Sequence, residues 1–288
     1  MTGAAAELTL GDGMRIPRLG FGTFQIPPDD TQRAVECAIE VGYRLIDTAA
    51  AYYNEAGVGA ALRASGRDDV FVTTKLRNAD QGYDSALAAF EASRRALGVD
   101  VVDLYLIHWP VPSEDRYLDC WRALIRLREE GVVRSIGVSN FLGEHLRRIV
   151  DETGVTPSLD QLEIHPSFSQ PRLRQTCAEM GVAVQAYSPL GQGADLEADA
   201  VLAPARRLRV SPAQVVLGWH LQSGRIAIPK STHVERMREN LALDEVALTD
   251  SELAAIDALD RPSGRIAGDP ATFDFSQRLE DAAARGEI

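Results

Sequence analysis

The chain has 288 residues, and 45% of them are hydrophobic, which is ordinary for a globular protein with a substantial core. A formal net charge of −12 argues against nucleic acid or an anionic membrane surface as a partner. The chain begins without the basic and apolar regions of a signal peptide, and it contains no apolar run of about 18 residues. We therefore expect a soluble cytoplasmic protein, and nothing in the composition requires more than a monomer.

Cysteine and lysine are both rare in this chain. Cys37, Cys120 and Cys177 are far apart and have neither CxxC nor metal-ligand spacing, which favours reduced thiols packed on helix faces and no metal site. The basic side chains are 28 arginines and only two lysines, Lys75 and Lys230. Lysine is a compact cation with a tunable pKa, whereas arginine stays charged. These two positions are therefore candidates for sites where arginine cannot serve; survival by chance is the alternative.

The first predicted elements are a β-hairpin and eight strands. Residues 6–20, "AELTLGDGMRIPRLG", predict the hairpin, with Asp-Gly at its turn. Eight short apolar runs follow, and most are continuous rather than alternating, as is typical of parallel strands buried on both faces. The predicted strands are Gly20–Thr23, Tyr43–Asp47, Phe71–Lys75, Asp103–His108, Ser135–Asn140, Asp160–His165, Val182–Tyr187 and Ile226–Lys230.

Segments with helical periodicity separate these strands. Gln32–Val41 and Tyr117–Glu130 each place apolar residues on one face, and capping boxes at residues 211–214 and 249–252 predict two further helix starts. Eight strand–helix alternations without a change in composition predict an α/β fold. We expect a single (β/α)8 TIM barrel domain over residues 1–288, with the hairpin added at its N-terminal end.

Active sites of such barrels lie at the C-terminal ends of the strands, where this sequence places polar residues. Each has an ordinary explanation when taken alone: Asp47 as a turn residue, Tyr52 as packing, His108 as a satisfied core histidine. Their joint occurrence indicates a site. The residues at or near the strand ends are Thr23, Asp47, Lys75, His108, Ser139, Asn140, Gln161, Tyr187 and Lys230.

Four of these positions suit carbonyl reduction, which needs a hydride at carbon and a proton at oxygen. A tyrosine with a pKa near ~10 is protonated at neutral pH but donates slowly. A nearby ammonium eases proton loss, and a carboxylate can hold that ammonium. Tyr52, Lys75 and Asp47 are these residue types, and His108 is suited to orienting the substrate oxygen.

No GxGxxG segment follows a strand, and no P-loop is present. Instead, residues 228–240, "IPKSTHVERMREN", combine cationic and hydroxyl side chains before a helix start, which suits phosphate binding. This composition favours a 2′-phosphate over a bare ribose; a solvated helix face is the alternative. The cluster consists of Lys230, Ser231, Thr232 and Arg236.

Eight sequence blocks resemble the aldo-keto reductase family in order and approximate spacing. They are "GFGTF", "YRLIDTAAAYYNE", "VTTKL", "LYLIHWP", "IGVSNF", "DQLEIHP", "AYSPLG" and "IPKS…ER…EN". The resemblance runs essentially end to end, and it is strongest to bacterial 2,5-diketo-D-gluconate reductases and prostaglandin F synthase-like members. It implies a barrel that binds NADPH across the strand ends and reduces a small-molecule carbonyl substrate.

The resemblance also implies residue roles, with Tyr52 as proton donor and Asp47, Lys75 and His108 completing a tetrad. The residues implied to contact the cofactor are Thr23, Ser139, Asn140, Gln161, Tyr187, Ser188, Leu190, Gln192, Lys230, Ser231, Arg236, Glu239 and Asn240. Phe24 is implied at the mouth of the site. Trp109 and a lid loop, residues 264–275, are further candidates for the pocket wall, and residues 276–288 are a candidate polar helix.

Three residues depart from the family pattern: Tyr53 replaces a glycine, Arg77 a tryptophan and Asp160 an asparagine. Arg77 suggests substrates that carry a carboxylate or other polar groups; the alternative is that it turns to solvent or pairs with Asp80. Two other functions stay open. An NADPH-binding regulatory protein could use the same barrel, and a phosphate-handling barrel enzyme would leave Tyr52 and Lys75 unexplained.

Overall fold

The computed structural model describes residues 7–273, in which eight parallel strands form a closed barrel. The strands are ordered in the sheet as they are in the chain, and each pairs in parallel with the next. A parallel bridge between Leu19 and Ala227 joins the first edge to the last, and Gly22 N donates to the Pro229 carbonyl at 3.1 Å. Closure leaves the eight-stranded sheet without an exposed edge. The predicted (β/α)8 fold is confirmed.

The strands and helices alternate along the chain after an N-terminal hairpin. The hairpin strands are β1 (Glu7–Thr9) and β2 (Arg15–Pro17), which pair antiparallel as predicted. The barrel strands are β3 (Phe21–Gly22), β4 (Leu45–Asp47), β5 (Phe71–Leu76), β6 (Val102–Ile107), β7 (Val133–Ser139), β8 (Leu159–Glu163), β9 (Ala183–Tyr187) and β10 (Ile226–Ala227). The α-helices are α1 (Pro28–Val41), α2 (Glu55–Ser65), α3 (Tyr83–Leu97), α4 (Tyr117–Glu129), α5 (Gly143–Thr153), α6 (Pro171–Glu179), α7 (Asp199–Leu208), α8 (Pro212–Gln222), α9 (Val234–Leu241) and α10 (Asp250–Asp257).

The predicted helix bounds shift at two ends. The helix expected to end at Glu130 ends at Glu129. The first helix begins at Pro28, four residues before the expected start, because proline is well suited to the first turn. Both capping boxes are present: Ser211 accepts from Gln214 N, and Thr249 accepts from Glu252 N. No helix in the described part of the chain is long and apolar enough to cross a membrane.

The barrel interior changes character from bottom to top. Side chains two residues apart on a strand face the same side. On β5, Phe71 belongs to the lower apolar core while Lys75 lies at the top; on β8, Leu159 and Gln161 have the same relation. Ile16 of the hairpin belongs to that lower core as well. The polar residues are thereby gathered at the C-terminal ends of the strands.

Candidate active site

Lys75 lies at the centre of a polar group at the top of the barrel. Its side chain is 0% exposed, and its nitrogen Nζ is 2.5 Å from Asp47 Oδ1. The same nitrogen donates to the Thr48 carbonyl at 2.8 Å and to the Tyr52 hydroxyl at 3.3 Å. An ammonium has three donors, and these contacts use all of them. The orientation of Lys75 is therefore fixed by its partners.

The turn after β4 sets the position of the Tyr52 ring. Asp47 is the last residue of the strand, and a single 3-10 turn then ends at Tyr52. Tyr53 follows in the left-handed region, with φ of 56°. Asn54 precedes α2 without capping it, because its Oδ1 accepts from the Thr48 hydroxyl at 2.9 Å instead. The Asn54 side chain thus anchors the turn to the strand rather than to the helix.

Burial dominates the charge states of this group. It raises the pKa of Asp47, partly offset by Lys75 and by Gln161, whose Nε2 donates to Asp47 Oδ2 at 2.6 Å. It lowers the pKa of Lys75, partly offset by Asp47. Burial, followed by the negative charge of Asp47, raises the pKa of Tyr52 well above 10.0. Tyr52 therefore holds its proton at neutral pH, beside an ammonium able to stabilise the phenolate once that proton leaves.

A cavity of about 560 Å³ opens above these residues, within the roughly 300–1,000 Å³ usual for ligand sites. The rings of Phe24 and His108 lie 5.1 and 5.6 Å from the Tyr52 ring. The cavity is lined by most of the residues that the sequence singled out: Phe24, Asp47, Tyr52, Arg77, His108, Trp109, Ser139, Asn140, Gln161, Tyr187, Ser188, Leu190, Gln192, Lys230 and Arg236.

The remaining candidates lie outside this lining: Thr23, Lys75, Ser231, Thr232, Glu239 and Asn240. Thr23 is fully buried, and its hydroxyl donates to the Asp47 carbonyl at 3.0 Å. The Ser231 hydroxyl accepts from His233 N at 3.1 Å, and Asn240 is only 5% exposed. In this conformation Thr23 therefore supports β4, and Ser231 shapes the turn before α9.

Asn140 connects three of the cavity-lining residues. Its Nδ2 donates to Ser139 Oγ and to the His108 carbonyl, both at 3.0 Å, while the Tyr187 hydroxyl donates to its Oδ1 at 2.8 Å. These bonds fix the Tyr187 ring against β7. Asn140 has φ of 62°, and three other non-glycine residues of the lining share this left-handed conformation: Gln25, Ser188 and Gln192. Such strain is retained at sites where a fixed backbone shape is needed.

Arg77 is paired within its own turn. Its Nε and Nη2 donate to the two carboxylate oxygens of Asp80, each at 2.9 Å. Arg77 still lines the cavity, but this bidentate pair compensates its charge. The structure thus supports the Asp80 alternative for this position.

A buried charge cluster missed at the sequence level lies beside the cavity. His165 is 0% exposed; its Nε2 is 3.1 Å from Glu163 Oε1 and its Nδ1 is 3.4 Å from Asp195 Oδ2. Glu163 also accepts the backbone amides of Ile266 and Ala267, at 2.5 and 2.8 Å. Glu163 and His165 are two residues apart, but Asp195, Ile266 and Ala267 are distant in sequence, so no local pattern indicates the whole cluster; the nearest signal is the charged residue at the end of β8.

The described part of the expected lid covers one side of the cavity. Ile266, Ala267 and Phe273 line it, and the Phe273 ring lies 4.2 Å from the ring of Trp109, centroid to centroid. The rest of the expected lid and the candidate helix at 276–288 lie outside the described residues.

The far end of the cavity carries Lys230 and Arg236, which are both exposed. Within residues 7–273 neither forms an ion pair with a carboxylate. Two uncompensated cations beside the turn before α9 fit a phosphate group. The two lysines of the chain thus differ sharply, since Lys75 is fully buried and Lys230 is open to solvent.

Comparison with known proteins agrees with this geometry. The family model described as aldo/keto reductase family matches residues 18–261. An aldo-keto reductase of Mycolicibacterium smegmatis is 47% identical over 272 residues, covering 94% of this chain and 98% of that protein. Methylglyoxal reductase DkgA of Yersinia pestis is 45% identical over 270 residues, covering 92% and 96%. The crystal structure of a Gox0644 variant in complex with NADPH is 44% identical with a TM-score of 0.91, covering 94% of this chain and 100% of that one. This chain belongs to the aldo/keto reductase family.

Proposed function

We propose that this protein is an NADPH-dependent carbonyl reductase that converts aldehydes, ketones, diketones, keto sugars or keto acids to alcohols. The observation that carries the proposal is Lys75, held between Asp47 and Tyr52 below a cavity that extends to Lys230 and Arg236. One similar structure contains NADPH, and one relative is named a methylglyoxal reductase. Both facts concern those proteins, and both agree with the donor set found here.

The cofactor, when bound, supplies the hydride. Lys230 and Arg236 would hold its 2′-phosphate end, and Tyr187, fixed by Asn140, would support its ring. Ser139, the last residue of β7, and Asn140, which follows it, would hold the carboxamide group of that ring.

The chain itself supplies the proton and orients the carbonyl. His108 and Tyr52 line one wall and would donate hydrogen bonds to the substrate oxygen. As negative charge develops on that oxygen, the Tyr52 proton moves to it. Lys75, 3.3 Å from the phenol oxygen, then stabilises the phenolate. Asp47 keeps the ammonium charged and in place.

Replacement of Tyr52 by phenylalanine tests this assignment. NADPH consumption would be followed with a panel of aldehydes, diketones and keto acids, and NADPH binding would be measured separately. We expect kcat to fall about 100-fold or more, as is typical for loss of a general acid, with NADPH binding retained. Tyr83→Phe is the matched control, because Tyr83 is 40% exposed at the start of α3 and lies outside the cavity lining.

Two outcomes would contradict the proposal. Equal turnover by wild type and Tyr52→Phe would remove Tyr52 as the acid. NADPH binding without turnover by either protein would favour the regulatory alternative.

A further inference from the structure

A second cavity, of about 570 Å³, lies at the bottom of the barrel, opposite the active site. It is bounded by the N-terminal hairpin, α6 and the starts of β9 and β10. Two arginines line it: Arg174 from α6 and Arg225 from the turn before β10. Polar side chains at its wall are Thr9, Gln175 and Ser223.

Arg225 is a buried cation with an unused donor. It is 2% exposed, and its guanidinium carbon lies 4.1 Å from the centre of the Trp219 ring. Its Nε donates to His220 Nδ1 at 3.1 Å, and its Nη2 donates to the Trp219 carbonyl at 3.3 Å. Its Nη1 has no hydrogen-bond partner among residues 7–273. A buried donor left unpaired costs free energy, most of all on a charged group.

Arg174 adds a second positive charge at the same cavity. Its Nε is also buried without a partner in the described chain. The carboxylates that act on it electrostatically, Asp257 and Asp260, form no ion pair with it. Asp257 Oδ1 accepts from the Trp219 indole at 3.1 Å, and Asp260 Oδ1 accepts from a backbone amide at 2.6 Å. Burial, and then the charge of Arg174, lower the pKa of Arg225 to about 9.

We propose that this cavity binds a phosphate-type oxyanion between Arg174 and Arg225. The guanidinium fork matches the oxygens of such an anion, and a bound anion would reduce the repulsion between the two arginines. Nη1 of Arg225, which is buried in this conformation, would turn toward the cavity to donate to the anion. Ser223 provides a neutral hydroxyl at the same wall, and Gln175, whose Nε2 donates to Glu179 Oε1 at 2.9 Å, has one further N–H. The site shares no residue with the cavity at the top of the barrel, and the inference does not depend on the proposed function.

Thermal unfolding in phosphate and in chloride, at matched pH and ionic strength, tests the site. Inorganic phosphate is the probe, and four proteins are compared: wild type, Arg174→Met, Arg225→Met and Arg236→Ala. The last removes a cation from the active-site cavity and so identifies phosphate bound there instead. We expect phosphate to raise the Tm of wild type and of Arg236→Ala by about 2 to 3 °C at about tenfold excess over Kd. The increment should disappear in both methionine variants.

Three results would overturn the proposal. One is a wild type whose Tm does not rise specifically in phosphate, in which case a water molecule accepts from Nη1 of Arg225. Another is an increment that survives in Arg174→Met and Arg225→Met. The last is an increment lost only in Arg236→Ala. Arg174 is half-buried on a surface helix, so its variant keeps the test decisive even if Arg225→Met fails to fold. The reductase activity of Arg174→Met should equal that of wild type.

Discussion

Asp160 is a carboxyl group placed where an amide would be expected. It is 0% exposed on β8, and neither of its side-chain oxygens completes a hydrogen bond within residues 7–273. Burial raises its pKa well above the ordinary 3.8, and the nearby Phe141 amide lowers it only in part. Burial, followed by the charge of Asp160, raises the pKa of Cys177 on helix α6. Asp160 is therefore protonated in the folded protein at a pH where it would be ionised in the unfolded chain.

This protonation makes stability depend on pH. A carboxyl whose pKa is higher in the folded than in the unfolded state contributes most to the free energy of unfolding below its unfolded pKa of about 4. That contribution is lost as the pH rises toward the folded pKa. Asp160→Asn removes the ionisable group. We expect the free energy of unfolding of the variant to equal that of wild type near pH 4 and to be higher at pH 7. The difference should be about 1.4 kcal/mol for each pH unit between the unfolded and the folded pKa of Asp160. Urea unfolding across this pH range measures the difference.

The matched control is Asp244→Asn, at an exposed position in a loop. Parallel pH dependence of the free energy of unfolding in wild type and Asp160→Asn would show that Asp160 is ionised in the fold.

Two other departures from the family pattern are near each other. The pKa of Arg77 is raised first by Asp80 and, to a lesser extent, by the Tyr53 phenol. The replacements of tryptophan and glycine thus belong to one contact region at the cavity mouth.

At the scale of elements, Glu163 at the end of β8 holds the described part of the expected lid, residues 264–273, which is called the tail below. It accepts two consecutive tail amides and one His165 nitrogen. Burial raises the pKa of Glu163, but His165 and the amides outweigh it and leave the pKa below its ordinary value. Burial lowers the pKa of His165, but Asp195 and Glu163 outweigh it and leave the pKa raised. The ion pairs of this cluster therefore weaken at both pH extremes. They weaken below the lowered pKa of the Glu163 carboxylate and above the raised pKa of the His165 imidazole.

Glu163→Gln should loosen the tail. The amide offers only one acceptor oxygen and no charge, so at least one charge-assisted bond is lost, worth about 1.5 to 3 kcal/mol. We expect amide exchange of residues 264–273 to accelerate by roughly tenfold or more. KM for carbonyl substrates should rise more than kcat falls, because tail residues form a cavity wall. Glu197→Gln is the control, at an exposed site; unchanged exchange in Glu163→Gln would mean that the tail is held elsewhere.

Sequence patterns predicted the elements well because each depends on local periodicity and caps. All eight strands were found, yet their ends moved: the predicted Ile226–Lys230 strand is only Ile226–Ala227, since Pro229 cannot donate to a ladder. The contacts of Glu163 with residues 266 and 267 could not be predicted, because a loop of unknown shape brings them together. The same limit applies to Arg225, whose unpaired Nη1 depends on tertiary packing.

The whole molecule separates stability from chemistry along the barrel axis. Ile16 of the hairpin is 0% exposed in the lower core, which also contains Leu45, Phe71 and Ile226, whereas the candidate catalytic residues are at the top. Ile16→Ala should lower the free energy of unfolding by about 2 to 5 kcal/mol. KM and kcat at a temperature where the variant is folded should match wild type.

Arg15→Ala, at the exposed neighbouring position, is the control and should leave the free energy of unfolding, KM and kcat close to those of wild type. Chemical unfolding and steady-state kinetics on the same preparations provide the comparison. A large loss of kcat in folded Ile16→Ala would show that the two ends of the barrel are coupled.

The contrast between the two lysines also makes the protein selective toward chemical reagents. With Lys75 buried beside Tyr52 and Lys230 in solvent, an amine-directed label has one accessible lysine side chain, at the mouth of the cavity at the top of the barrel. A fluorophore attached there would occupy the same end as the proposed nucleotide phosphate. Protection of that single amine would therefore report occupancy of the cavity without any turnover.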